Sequence, residues 1–172
     1  MLVDATFTKV DGGRYTMEVT GAKDPELGPR QGAGYDEFLP HDVVHFIVED
    51  EAGLAGGVFG RVADGQSNLF PPAEAGDGRR HRRRVARHQL SKSDHKDMAR
   101  SELLASVCPP LWELRTGRRS QEPEWFGSVD PEVLDSPLID RVLCRLDDFA
   151  ERWSVLPVGG SITLDWLVSP RR

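Results

Sequence analysis

His41, Asp42, His45 and Glu49 fall within one short stretch, Leu39-Pro40-His41-Asp42-Val43-Val44-His45-Phe46-Ile47-Val48-Glu49, and each can bind a divalent metal. At about 100° per residue, with His41 set at zero, a helix places His45 at about 40°, Glu49 at about 80° and Asp42 at about 100°. The four ionisable groups therefore share one quarter of the helix. Val43, Ile47, Val44 and Val48 occupy the arc from about 200° to about 340° by the same rule, so the opposite side can pack on a core. Two imidazoles at i, i+4 can converge on one ion, Glu49 or Asp42 can add oxygen, and a water can complete the shell. The candidate metal ligands are thus His41, His45, Glu49 and Asp42, and zinc or another divalent metal is the candidate cofactor. If the chain is an enzyme, such an ion polarises a substrate oxygen or activates water. The same pattern also fits a structural role, with Asp42 favoured near the positive helix N-terminus and the other groups solvated or internally hydrogen-bonded.

The segment from Tyr35 to Gly65, with its PHDxxHF helix, and Ser101 to Arg118 (SELLASVCPPLWELRTGR) resemble a family of small bacterial proteins with no assigned activity. That resemblance implies no mechanism. The HDxxH core, His41-Asp42-Val43-Val44-His45, also resembles the metal motif of the ubiquinone-biosynthesis family that acts on the quinone headgroup, and the HExxH helix of zinc hydrolases. Asp42 stands where the hydrolases carry their general-base Glu, one methylene shorter, and Gly57 stands where the quinone family carries a further Glu. What the resemblance carries over is His41, Asp42 and His45.

The elements around this helix are legible from periodicity and turn chemistry. Thr6–Val10 and Arg14–Thr20 flank Asp11-Gly12-Gly13 and predict a β-hairpin. Residues 21–38, rich in Gly and Pro, read as a loop that delivers the chain to the His41 helix; Pro40 suits its first turn and Gly53 its end. A short glycine-rich helix or turn over Leu54–Val62 follows, with Gly56, Gly57 and Gly60 suited to close packing. An Arg-rich helix follows Gly78. A further helix capped by Ser93 or Asp94 runs to Val107, and Pro109-Pro110 is expected to break it before a short turn over Leu111–Arg115. Ser136-Pro137 opens the clearest core helix, with Leu138, Val142, Leu146, Phe149 and Trp153 as its stripe. Ile162, Leu164, Trp166 and Val168 alternate with polar neighbours and predict a terminal strand. This order predicts an α+β fold, a small antiparallel or mixed sheet of hairpin plus C-terminal strand covered by several helices. Its 172 residues suit a single domain, 1–172.

At 38% apolar and 29% charged, the composition is that of an ordinary soluble chain, and no apolar run is long enough to span a bilayer. The first residues show no secretory pattern, which predicts a cytoplasmic location. Cys108 and Cys144 sit among apolar neighbours and read as two reduced, buried thiols. The net charge of −6 hides a strong asymmetry: residues 79–100 hold nine Lys or Arg against two Asp, a net +7, which leaves −13 for the remainder. This basic helical segment is expected to project from the core. Arg79, Arg80, Arg82, Arg83, Arg84 and Arg87 are its candidate partner-binding residues, for an acidic protein surface or a second copy of the chain. Nucleic acid is the weaker expectation, because residues 71–111 contain no aromatic side chain for base stacking. His81, His88 and His95, at seven-residue intervals, are exposed histidines or supplementary ligands. The readings for the whole chain are a candidate metal protein and, alternatively, a non-catalytic interaction protein.

Overall fold

Alternation in the first twenty residues produces two paired strands. β1 (Leu2–Lys9) turns inward Val3, Ala5 and Phe7, and β2 (Tyr15–Thr20) turns inward Tyr15, Met17 and Val19. The computed structural model describes residues 2–23, 27–34, 36–67, 69–73, 78–87 and 89–167. β3 (Arg30–Gln31) and β4 (Ser161–Leu167) complete a four-stranded sheet in the order β3-β2-β1-β4, every pairing antiparallel. The terminal strand lies beside β1, with Val3 opposite Trp166 and Phe7 opposite Ile162. The fold is α+β. β3 falls inside the stretch expected to be loop; two residues carry no period of their own, and their pairing with Thr16 and Met17 alone makes them a strand.

One face of the sheet is covered by α1 (His41–Ala52) and α6 (Pro137–Val155). Phe7, on the central strand, meets Phe46 of α1 and Phe149 of α6 edge-on at 6.5 and 6.1 Å. Ile139, Val142, Leu146, Phe149 and Trp153 form the buried stripe of α6. Ser136 caps this helix through Ile139 N–H, as its position before Pro137 implies. A second helical layer, α4 (Lys92–Arg115), lies against α1 and α6. Between them fall α2 (Val58–Ala63), α3 (Gly78–Arg87) and the single turn α5 (Pro131–Leu134).

Three expectations about α4 and α6 are corrected. Helix α4 does not break at Pro109-Pro110 but continues to Arg115, and its N-cap is Ser91, whose hydroxyl accepts from Asp94 N–H while Asp94 accepts from Ser91 N–H. Two missing N–H donors weaken the helix locally. Buried Val107 and Cys108 before the prolines, and Trp112 after them, hold both halves to one core. On α6 the helical period turns Cys144 outward, so only Cys108 is buried; burial pushes the Cys108 thiol up to about 12.

Candidate functional site

Helix α1 is enclosed over most of its length. Its apolar arc faces the sheet, His45 and Glu49 on its polar arc reach Ser101 of α4, and the run Asp42–Glu49 is buried without interruption. The helix ends where Gly53 adopts the left-handed conformation at φ 64°, returning its N–H to the Asp50 and Glu49 carbonyls. The ionisable side chains on the polar arc therefore lie in the interior rather than in solvent, and each needs a partner there. His41, in the first turn, remains exposed.

Asp42 is held from the sheet. The Tyr15 hydroxyl donates to its Oδ2 at 2.6 Å, and Arg30 Nη2 donates to its Oδ1 at 2.6 Å. The hydroxyl also accepts from Asp42 N–H at 3.2 Å, so Tyr15 closes the first turn of α1 as a capping residue would. Burial, reinforced by the neighbouring carboxylate, holds the Tyr15 phenol far above its ordinary range. Arg30 lies with its guanidinium 5.4 Å from the centre of the Phe70 ring. Asp42 thus joins β2, β3 and α1 in one charged knot.

Glu49 is fully buried and makes a different junction. Its Oε1 accepts from Val58 N–H at 2.7 Å and its Oε2 from Phe59 N–H at 2.8 Å, so the carboxylate sits on the N-terminus of α2. Gly57 makes this approach feasible, because a Cβ there would stand 2.4 to 2.6 Å from the Glu49 carboxyl atoms. From the other side Ser101 Oγ, on α4, donates to Oε1 at 2.7 Å. Burial raises the Glu49 carboxyl to about 7 even though these hydrogen bonds pull it down.

Ser101 also joins His45, whose Nδ1 lies 3.1 Å from the same Oγ. When Glu49 is ionised the hydroxyl gives its one proton to it, so in that state Nδ1 is the donor in this bond and Nε2 carries the lone pair. Burial, then the neighbouring His41, lowers the His45 pKa against the opposing pull of Glu102 and Asp42. The His41 and His45 rings meet edge-on with centroids 4.7 Å apart.

His41 opens onto a cleft of about 200 Å³ between the chain before α1 and helix α4, lined also by Asp36, Val44, Ala105, Trp112 and Glu113. It is smaller than the roughly 300 Å³ at which small-molecule pockets begin. Its carboxylates already have partners: Asp36 accepts from Phe38 and Leu39 N–H, and Glu113 pairs with Arg119 at 2.6 Å.

The structure brings His41 and His45 together, turns Asp42 toward Arg30 and Tyr15, and turns Glu49 toward α2. Among the described residues no three His, Cys, Asp or Glu side chains are grouped so as to hold a metal ion. Ser101, Tyr15 and Arg30 complete the arrangement without having stood out in the sequence. Alternation did turn Tyr15 inward with Met17 and Val19, but nothing local pointed to its partner, and a lone serine on a helix carries no signal.

The basic segment divides between two helices. Its first part is α3, on which Arg79, Arg82 and Arg83 are exposed and make no ion pair or hydrogen bond among the described residues. The side chains of Arg80, Arg84, Arg87 and His81, and all of His88, lie outside the described residues. Its second part forms the first turns of α4, where Lys92, His95, Lys96 and Arg100 are exposed.

Fold and site together define an α+β protein with one antiparallel sheet, a helix enclosed between that sheet and a second helical layer, and a separate cationic helix. No family model, curated protein or solved structure matches the chain. No helix among the described residues is long and apolar enough to cross a membrane.

Proposed function

We propose that the protein is a non-catalytic interaction protein that engages an acidic protein surface through α3. The observation that carries this reading is the exposure of Arg79, Arg82 and Arg83 without a carboxylate partner among the described residues, in a chain whose residues outside 79–100 bear −13. Other arginines are engaged within the fold: Arg145 pairs with Asp50 and Glu51 at 2.6 and 3.0 Å, Arg30 pairs with Asp42, and Arg118 stacks on Phe38 and Trp112. Guanidinium groups left in solvent keep the forked geometry that recognises carboxylates on another surface. The polar arc of α1 supports the same reading from the other side, because Asp42 and Glu49 are engaged in holding β2, α2 and α4 to α1.

Fluorescence anisotropy with a labelled oligoglutamate peptide and a single-stranded oligonucleotide of equal charge tests the proposal. Peptide binding is expected at low salt, weakening about tenfold as the Debye length shrinks from about 30 Å to about 8 Å. Arg82→Ala with Arg83→Ala should reduce it further. Absence of peptide binding at low salt refutes the reading, and preferential binding of the oligonucleotide redirects it to nucleic acid.

A second reading rests on the His41–His45 pair, whose contact and, with Glu49 ionised, fixed tautomer leave His45 Nε2 available as a ligand. Zinc or another divalent ion would then be held by two imidazoles, with Glu102 a carboxylate whose charge already acts on His45. Calorimetric titration of zinc into the wild type and His41→Ala with His45→Ala decides it: uptake that survives both substitutions removes these residues as ligands.

A further inference from the structure

The helices cover one face of the sheet, and the strands leave the other open. Alternation directs Asp4, Thr6 and Thr8 of β1, Thr16, Glu18 and Thr20 of β2, and Ser161, Thr163 and Asp165 of β4 away from the core. Register sets them in three rows across the strands: Thr16, Thr8, Ser161; Glu18, Thr6, Thr163; and Thr20, Asp4, Asp165. Two rows are tied by hydroxyl pairs, Thr6 to Thr163 and Thr8 to Ser161, each at 2.8 Å. The carboxylates are left over. Asp4 and Asp165 stand opposite one another, Glu18 is diagonal to Asp4, and none of the three has an ion pair or hydrogen bond among the described residues. No outward position of these three strands carries Lys or Arg.

Like charges directly opposed on a sheet destabilise it slightly unless something cationic covers them. The chain itself supplies a cation of matching size. α3 has ten residues and is about 15 Å long at 1.5 Å per residue, while Asp4 to Thr8 spans about 14 Å along the strand. Arg79, Arg82 and Arg83 are exposed and have no partner among the described residues, while Glu18 and Asp165 are exposed on the sheet, so α3 of the same molecule does not lie across this face. We propose that α3 of one molecule docks across the open sheet face of a second copy, its arginines pairing with Asp4, Glu18 and Asp165 and donating to the threonine hydroxyls. This rests on the reading of α3 as an acid-binding helix and names its partner as the chain itself. One helix on one small sheet face covers less than a standard interface, so the association is weak, salt-sensitive and reversible. A two-fold arrangement uses both faces reciprocally.

Sedimentation velocity on the full chain tests this with two charge reversals, Arg82→Glu with Arg83→Glu on the helix and Glu18→Lys with Asp165→Lys on the sheet. All four positions are exposed, and circular dichroism checks that both variants fold. The wild type should self-associate at low salt and weaken at least about tenfold at high salt. Each variant alone should be monomeric. An equimolar mixture should associate again, because the basic helix of the sheet variant meets the acidic sheet of the helix variant and the reversed pair is complementary as well. A wild type that stays monomeric at low salt, a sheet variant that self-associates like the wild type, or a mixture that stays monomeric overturns the inference. The oligoglutamate measurement separates this from the proposed function: a wild type that binds the peptide yet stays monomeric refutes only the self-docking, whereas loss of peptide binding as well refutes both.

Discussion

Replacing Glu49 by Ala removes the acceptor for three buried donors at once, Val58 N–H, Phe59 N–H and the Ser101 hydroxyl. Each buried donor left without a partner costs about 1 to 3 kcal/mol, part of which relaxation recovers, so a loss of about 4 kcal/mol is expected where Glu49 is protonated in the fold. That loss depends on pH. The folded carboxyl titrates at about 7 against 4.5 for the free group. Because the folded value is raised, the stability associated with the protonated form is complete below the unfolded value and is lost as pH rises toward 7. The difference amounts to about 3 kcal/mol in total, of which about 2 falls between roughly pH 5 and pH 8. Wild-type stability should therefore decline over that window from this group, while the Ala variant lacks the term. The penalty of Glu49→Ala is expected to be about 2 kcal/mol smaller at the higher pH. Urea unfolding followed by tryptophan fluorescence at both pH values measures it. An equal penalty at both, or a larger one at the higher pH, refutes the account of Glu49 as a buried group whose desolvation outweighs its hydrogen bonds.

Other substitutions probe the neighbouring contacts. Gly57→Ala places a methyl group against the Glu49 carboxyl and should cost about 1 to 3 kcal/mol in urea unfolding, less when combined with Glu49→Ala because the obstacle is then gone. Tyr15→Phe removes the hydroxyl that both donates to and accepts from Asp42, and a loss of about 1 to 3 kcal/mol is expected; no loss would mean that Arg30 alone satisfies the carboxylate. Thiol titration of the native protein should modify Cys144 promptly and Cys108 only on unfolding, because the former is exposed and the latter is buried with its pKa raised. Prompt modification of both thiols would contradict the packing of α4.

Much of the fold is written locally. The alternation of Tyr15, Met17 and Val19, the stripe from Val142 to Trp153, and the stop at Gly53 are decided by period-2 and 3.6-residue patterns and by backbone freedom, and all three stand in the structure as those patterns imply. The convergence of His41, Asp42, His45 and Glu49 on one arc of α1 is likewise a property of helical spacing. What that arc faces is not. A helix with one polar side reads as a surface helix, yet α4 closes over this one, and burial converts three of its four polar residues into separate obligations: Asp42 to Arg30 and Tyr15, Glu49 to the α2 amides and Ser101, His45 to Ser101, with His41 left exposed at the cleft. Partners 27, 12 and 52 residues away cannot be inferred from a local period. The continuation of α4 through Pro109-Pro110 is a tertiary outcome too, since contacts made by Val107, Cys108 and Trp112 outweigh the local preference to break. The sequence determined which side chains share a face, whereas packing of distant segments decided which of those faces meet protein and which meet water, because desolvation and pairing depend on neighbours that spacing along the chain does not specify.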